Sequence, residues 1–280
     1  MVFDEVVSTF IETSKIILMV TLLMIIIEFL ELRFKDKIRD LITKKPTNQY
    51  VIASLLGAIP GCMDAFFIVS LYAHGLVGFG ALTAVMLSTA GDEAFIMLAM
   101  IPNAALLIFA ICIILGVIGG FFADKIAGAV NLKTCQPCAI EVHDVTLDFT
   151  HFIKEHVYGH ILKKHIPKMF LWIFSTLLIV EYLMARFDLA STISGLPAFA
   201  LIILAALVGI IPESGPHLFF LILYSRGLIP FSVLLVNTLS QDGHGLLPLL
   251  SYSVKDTIYV QIFTTSFSLI VGLLLFLIGF

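Results

Sequence analysis

The sequence predicts an all-α polytopic membrane protein built from two inverted repeats, each with a broken helix and a re-entrant or broken hairpin. Three observations predict it: the composition, the similarity of the chain to itself, and the uneven placement of its basic residues. Of 280 residues, 60% are hydrophobic and 13% charged, with a mean hydropathy of +1.08. A soluble domain runs at about 45–50% apolar and about 25% charged, so this chain lacks the polar groups to cover a water-facing surface. That excludes a soluble enzyme and a disordered chain. A net charge of −4 with no basic field excludes a nucleic-acid binder. Apolar runs near 20 residues are long enough for a bilayer core of about 30 Å, and the period-2 alternation of an outer-membrane barrel is absent.

The first element is a span at 16–32, preceded by an N-terminus with Asp4, Glu5 and Glu12 but no basic residue before Lys15. A cleaved leader starts with positive charge, so this run is read as a permanent span. After a basic link, apolar sequence from Tyr50 to Phe122 is interrupted at Pro60-Gly61, His74-Gly75, Gly91-Asp92-Glu93 and Pro102. A polar loop, 124–167, follows. Apolar sequence then runs from 168 to the end, broken at 188–196, Pro212–Pro216, Arg226-Gly227, Gln241–Gly245 and Lys255-Asp256.

The breaks recur. Shifted by 152 residues, the stretch Ala53–Leu98 matches itself at 16 of 46 positions, including Gly57 on Gly209, Pro60 on Pro212, Tyr72 on Tyr224, Gly75 on Gly227, Ser88 on Ser240 and Gly91 on Gly243. Three units follow: a first membrane repeat (1–123), a loop (124–167) and a second membrane repeat (168–280). The link after the first span carries six basic residues and its counterpart only Arg186. Cytoplasmic loops are enriched in Lys and Arg, so the repeats are read as inverted. In the resulting layout 46–73 and 196–225 cross as broken helices, and 79–101 and 230–252 dip in and return. The links 33–49 and 124–167 are then cytoplasmic and both termini lie outside. All basic residues except Lys15 and Arg186 are cytoplasmic.

Four breaks at membrane depth carry the chemistry. Irregular backbone there must line protein or a watery cavity, and ionisable groups there are functional candidates. The principal cargo ligands are Asp92, Glu93, Glu213, His217, Asp242 and His244; Cys62, Asp64, Ser214, Asn237 and Gln241 stand behind them. Gly57, Pro60, Gly61, Gly91, Gly209, Pro212, Gly215, Pro216, Gly243 and Gly245 make the helix breaks. No Lys or Arg falls within these breaks, so the acids would attract a cation and repel an anion. Carboxylate, imidazole and amide together suit a divalent transition metal; capping of half-helices is the alternative for the acids. Matched tips entering from opposite faces would bring Asp92 and Glu93 to Asp242 and His244. Glu28 and Glu181 hold equivalent span positions. In the loop, Cys135-Gln136-Pro137-Cys138 is either a polar loop or a metal-capture site with nearby histidines. The apolar spacing of 147–166 predicts an amphipathic helix lying on the membrane, with His151, His156, His160 and His165 on its wet face.

The strings GAIPGCMDAF, STAGDEAFIMLA, GIIPESGPHLFF and NTLSQDGHGLLPLL resemble the bacterial ten-span heavy-metal exporters, also described as manganese transporters or arsenic efflux proteins. The resemblance covers both repeats and implies an inner-membrane efflux carrier. Asp64 departs from the neutral residue of that family and adds an acid. The expectation is a non-enzymatic secondary exporter of a divalent metal, Mn²⁺ first, coupled to protons. It needs no cofactor; its partners are the ion and the bilayer, with a homo-oligomer left open. An oxyanion or arsenical exporter and an intramembrane enzyme are the competing readings. No GxxxxGK[ST] loop is present for ATP-driven pumping.

Overall fold

The computed structural model describes residues 2–44, 46–61, 63–129, 152–186, 193 and 195–278; the side chains of Glu28, His156, His160 and His244 are among those outside the description. Cys62, Cys135, Cys138, His143 and His151 therefore lie outside the described residues. The described chain is helical in the order α1 (Val2–Lys44), α2 (Pro46–Gly57), α3 (Met63–Ala73), α4 (Phe79–Ser88), α5 (Glu93–Met100) and α6 (Pro102–Ala129). The π-helix Phe152–His165 leads directly into α7 (Ile166–Arg186). The second half continues as α8 (Ala198–Gly209), α9 (Ser214–Ser225), α10 (Phe231–Ser240), a 3₁₀ turn (Gly243–Gly245), α11 (Leu246–Tyr252) and α12 (Val254–Ile278). Among the described residues, five segments are long and apolar enough to cross a membrane: Val6–Ile26, Phe79–Met100, Pro102–Ala129, Val157–Leu183 and Val254–Ile278.

The two halves repeat in detail. The Leu76 N–H donates to Leu71 O and the Gly75 N–H to Tyr72 O; the Leu228 N–H donates to Leu223 O and the Gly227 N–H to Tyr224 O, all at 2.9 Å. This pair of bonds closes a helix through a left-handed residue, and Gly75 (φ 69°) and Gly227 (φ 71°) supply it. Where α2 meets α4, a methyl group on Gly57 would run into Ser88 Oγ. Where α8 meets α10, one on Gly209 would run into Ser240 Oγ. Each serine in turn donates to carbonyls of its own last turn, Ser88 to Ala84 and Val85, Ser240 to Asn237. Glycine and serine thus let two helix ends press together where neither has a partner in lipid. On α6, Gly116, Gly119 and Gly120 do the same for α4, running antiparallel to it so that Gly80 meets Gly120 and Ala84 meets Gly116.

Three expectations are corrected. The segment 46–73 does not cross. The Gln49 side chain donates to Leu76 O (3.4 Å) and accepts from the Gly78 N–H (3.2 Å), so the start of α2 and the end of α3 lie at one level. This segment goes in and returns, while 79–100 runs through with a break at its middle. Both pairs of half-helices are short and apolar, so sequence period alone did not separate a hairpin from an interrupted span. Second, Arg226 belongs to the opposite end from the basic link. Its guanidinium lies 3.4 Å from Glu12 Oε2 and 3.0 Å from Glu181 Oε1, and Thr9 donates to Glu181 at 2.6 Å. Glu12 lies near the start of α1 and Lys44 at its end, about 48 Å apart at about 1.5 Å per residue, and Gln49 follows Lys44 in the first turn of α2. Third, the segment 152–165 is no surface helix. It is continuous with α7, and its Ile161 is fully buried in the core.

At the Gln49 face, Tyr72 donates to Asp256 at 3.1 Å and Tyr252 to the Ala73 carbonyl at 3.3 Å, joining α3 of one half to the end of α11 and the start of α12 in the other. Single cysteines at positions 48, 76 and 255 in a cysteine-free background are expected to react with an impermeant reagent from one side of the membrane, and one at position 227 from the other. Gly209→Val is expected to lower the thermal midpoint of the purified protein, since overpacking costs roughly 1–3 kcal/mol; Gly128→Val, where a Cβ meets nothing, is expected to leave it unchanged.

Candidate functional site

The site is built where the halves meet. The tip between α4 and α5 (Thr89–Asp92) and the tip after α10 (Gln241–Gly245) touch across the molecule. Gly91 (φ 52°) and Gly243 (φ 56°) turn the chain at matched positions in a conformation that only glycine adopts without strain. A Cβ on Gly243 would lie 3.6 Å from Thr89 and 4.0 Å from the Gly91 Cα. Adding the Cα–Cβ bond and two Cα steps of about 3.8 Å each holds the Cα atoms of Asp92 and His244 within roughly 13 Å. Each tip also rests on the returning limb of the other half's hairpin. Gly245 packs on Ala65 at the start of α3, and Gly91 lies beside Ser214 at the start of α9.

The central polar contact joins the tips directly: Gln241 Nε2 donates to Glu93 Oε2 at 2.9 Å, both residues being fully buried. Thr264 on α12 donates to Asp242 Oδ2 at 3.3 Å. The remaining oxygens, Glu93 Oε1, Gln241 Oε1 and Asp242 Oδ1, are buried with no hydrogen-bond partner among the described residues, as are Asp64 Oδ2 and Ser214 Oγ. Burying such oxygens unpaired is costly.

Capping does not account for the acids at the helix starts. Asp92 stands at the N-cap of α5 and Glu213 at that of α9, and neither side chain caps the helix. Asp92 Oδ2 lies 3.0 Å from His165 Nδ1, and Glu213 Oε2 lies 2.8 Å from Lys168 Nζ. The acids at the breaks are therefore not all uncompensated, as the absence of Lys and Arg from the breaks suggested: Lys168 is remote in sequence and arrives on α7. His165, assigned from its spacing to a wet helix face, is a site neighbour that the sequence reading missed. Its signal was a π-helix continuing into a span, which hydrophobic spacing does not show.

His217 is engaged in bracing the break. Its Nδ1 lies 3.3 Å from Asn237 Oδ1 and its Nε2 3.1 Å from the Ile211 carbonyl, while Asn237 Nδ2 donates to the Ala205 carbonyl at 2.9 Å. The structure thus brings Glu93, Gln241, Asp92 and Gly243 together, and holds His217 with Asn237 inside the second half. Cys62 and the His244 side chain lie outside the described residues. Among the described residues, no three His, Cys, Asp or Glu side chains form a ready metal cluster.

A family model for the "Putative, 10TM heavy-metal exporter" matches residues 1–169 and 151–279. The match covers nearly the whole chain, and the protein belongs to that family. Comparison with curated proteins and with solved structures finds no match.

The Glu93–Gln241 bond makes a specific demand. Gln241→Leu keeps the approximate size and removes the donor, leaving both Glu93 oxygens buried without it. The loss of a hydrogen bond to a charged group costs about 1.5–3 kcal/mol. The variant is expected to show a lower thermal midpoint than wild type, and Glu93→Gln combined with it is expected to recover part of the loss.

Proposed function

We propose, taking membership of the heavy-metal exporter family as the premise, that the chain is a secondary-active inner-membrane exporter of a divalent transition metal ion, Mn²⁺ first, working by exchange with protons. The observation that carries the proposal is the meeting of the two tips, with Glu93 and Gln241 in contact and with Glu93 Oε1, Gln241 Oε1 and Asp242 Oδ1 buried without partners among the described residues. Carboxylate and amide oxygens suit Mg²⁺, Ca²⁺ or Mn²⁺ better than soft thiophilic ions. Asp92 and His244 stand on the same two tips and complete the proposed cargo set, with Asp64, Cys62 and Ser214 at its margin.

The two halves are proposed to be inverted repeats. The contacts support this: α1 begins near Arg226, and its counterpart α7 ends near the same Arg226. Each half then contributes a first span, a hairpin that enters and returns, a broken span bearing a tip, and a last span. Six crossings result. Moving Arg226 to join Lys15 and Arg186 on the outer side changes the expected split of the 16 basic residues to 13 and 3, which still supports a cytoplasmic basic link and 124–167 loop. A tip from each half at the middle of the membrane is the arrangement in which rocking of one half exposes the same site alternately to each side.

Lys168 and His165 each lie against a carboxylate, which favours the metal reading over the oxyanion or arsenical one.

In cells, Glu93→Gln and Asp242→Asn are expected to abolish tolerance of excess Mn²⁺ while the protein remains inserted at normal levels; amide substitution keeps shape and removes charge. In liposomes, an imposed pH gradient is expected to drive ⁵⁴Mn²⁺ uptake by the wild type and not by either variant. Full tolerance in both variants would show that neither carboxylate binds the cargo.

A further inference from the structure

We infer that the buried face of the last span, α12, lines the route by which the cargo ion passes between the Gln49 face of the membrane and the site. The inference rests on the reading of the chain as a cation exporter. It stands on a comparison of α12 with α6 that the reading itself does not use.

α6 and α12 are the last spans of the two halves, and the 152-residue shift lays Pro102 on Val254, where each begins. The two helices bury the same positions. Ala105, Ile108, Cys112, Gly116 and Gly120 are buried on α6, and their counterparts Thr257, Val260, Thr264, Ser268 and Gly272 are buried on α12. On α6 none of these carries a hydroxyl or a charge. On α12 three of the five carry hydroxyls, and the fully buried Asp256 heads the row where α6 has Ala104. Close packing of a last span does not call for such groups, since the first half packs without them. Spacings of three and four place the row on one side of the helix, while Ile258, Ile262 and Ile270 lie exposed elsewhere on it. Polar and ionisable groups turned inward from a span are the mark of a substrate or ion path.

The row connects two places already described. At its start, Asp256 accepts from Tyr72 at 3.1 Å at the Gln49 face. Further along, after about 12 Å of helix rise, Thr264 Oγ1 lies 3.3 Å from Asp242 Oδ2 at the second tip. The hydroxyl chemistry suits a cation. Thr257 donates to the Ser253 carbonyl and Ser268 to the Thr265 carbonyl, both at 2.9 Å, and Thr264 has the Gln261 carbonyl at 3.2 Å as a second acceptor. A hydroxyl has one proton to give and two lone pairs. With the proton turned back onto the helix, the oxygen can only accept, which draws a cation and not an anion. In this structure the Gln49 end of the row is closed. Tyr252 donates to the Ala73 carbonyl at 3.3 Å, and its ring meets that of Tyr72 edge-on with centroids 6.4 Å apart. Among the buried residues of α12 from Asp256 to Thr264, Val260 alone is apolar. An ion passing it meets no side-chain oxygen in place of the water it sheds.

The test takes two measurements on the full chain with Mn²⁺ alone as probe. One is equilibrium binding to the purified protein. The other is the initial rate of ⁵⁴Mn²⁺ uptake, at limiting concentration and per molecule of protein, by acid-loaded inside-out vesicles, which on the proposed topology present the Gln49 face. A residue on the route but outside the site changes how fast the ion arrives and leaves the equilibrium alone. Thr257→Val keeps the shape and removes the hydroxyl. It is expected to lower the uptake rate about threefold with Kd unchanged, a change the size of one hydrogen bond. Val260→Thr is expected to raise the rate by a similar factor, again with Kd unchanged. Thr257→Ser is expected to keep the wild-type rate, as is Ser266→Ala on the exposed side of α12. The gain at Val260 separates a route from packing, because a packing role predicts loss from both changes. Where Val260→Thr does not insert, the Thr257→Val loss at unchanged Kd and its rescue by serine decide alone. Rates unchanged in both variants, rates lowered in both, or rate changes that only follow Kd would overturn the inference while leaving the exporter reading intact. A wild-type chain that binds and moves no Mn²⁺ would defeat the Mn²⁺ exporter reading and this inference with it.

Discussion

Helix ends in the middle of an apolar protein are the constraint on which the rest of this structure depends. Each break strands amides and carbonyls that lipid cannot satisfy. The chain answers with its own interior groups. Gln261 donates to the Ile210 carbonyl at 2.7 Å, His217 lies against that of Ile211, and Asn237 donates to that of Ala205. At the first tip the Gly61 N–H donates to Gly91 O and the Gly91 N–H to Thr89 Oγ1, both at 3.2 Å. Much of the buried polarity that marks the breaks in the sequence is thus spent on holding the breaks open. What is left over is one oxygen each of Glu93, Gln241, Asp242 and Asp64, buried without a partner among the described residues.

That division explains which site residues were legible. Hydropathy and the 152-residue self-match located all four breaks, and the paired glycines were identifiable because only glycine serves a left-handed turn at Gly91 and Gly243. The approach of the two tips followed from the symmetry. The direction of the half-helices did not, because α2 and α4 are similarly short; it is shown by the Gln49 side chain, bonding across the mouth of the hairpin. The sequence also could not distinguish a ligand from a brace. His217 and Asp242 lie at breaks of similar composition. The ring nitrogens of one face Asn237 and the Ile211 carbonyl, while the other keeps an oxygen without a partner among the described residues.

The loop helix was misread for a related reason. Its apolar residues recur at a spacing that suits a surface helix, but a π-helix winds more slowly than an α-helix. A pattern counted at 3.6 residues per turn therefore assigns the wrong face. His165 was placed on a wet face by that count, and the structure turns it toward Asp92; Lys168, at the start of the next span, reaches Glu213. The correction matters chemically, since it converts a set of uncompensated acids into a set with two internal partners.

The halves repeat in backbone, yet the side chains at their tips do not. Asp92 aligns with His244 and Glu93 with Gly245, while Gln241 aligns with Thr89 and Asp242 with Ala90. Duplication would first have produced two equal tips, each presenting the same groups. Two identical ionised acids meeting at the centre would repel, and two identical neutral groups would bring no charge to offset a cation's loss of water. The divergence gives one tip a carboxylate at Glu93 and the other an amide at Gln241, so their contact is a hydrogen bond and not a clash of charge. The symmetric backbone brings the tips together, and the asymmetric side chains allow them to stay in contact. A cargo ion would bind to what that contact leaves unsatisfied, a carboxylate oxygen and an amide oxygen on different halves. Its binding would therefore draw on both halves at once, which couples the site to their relative movement.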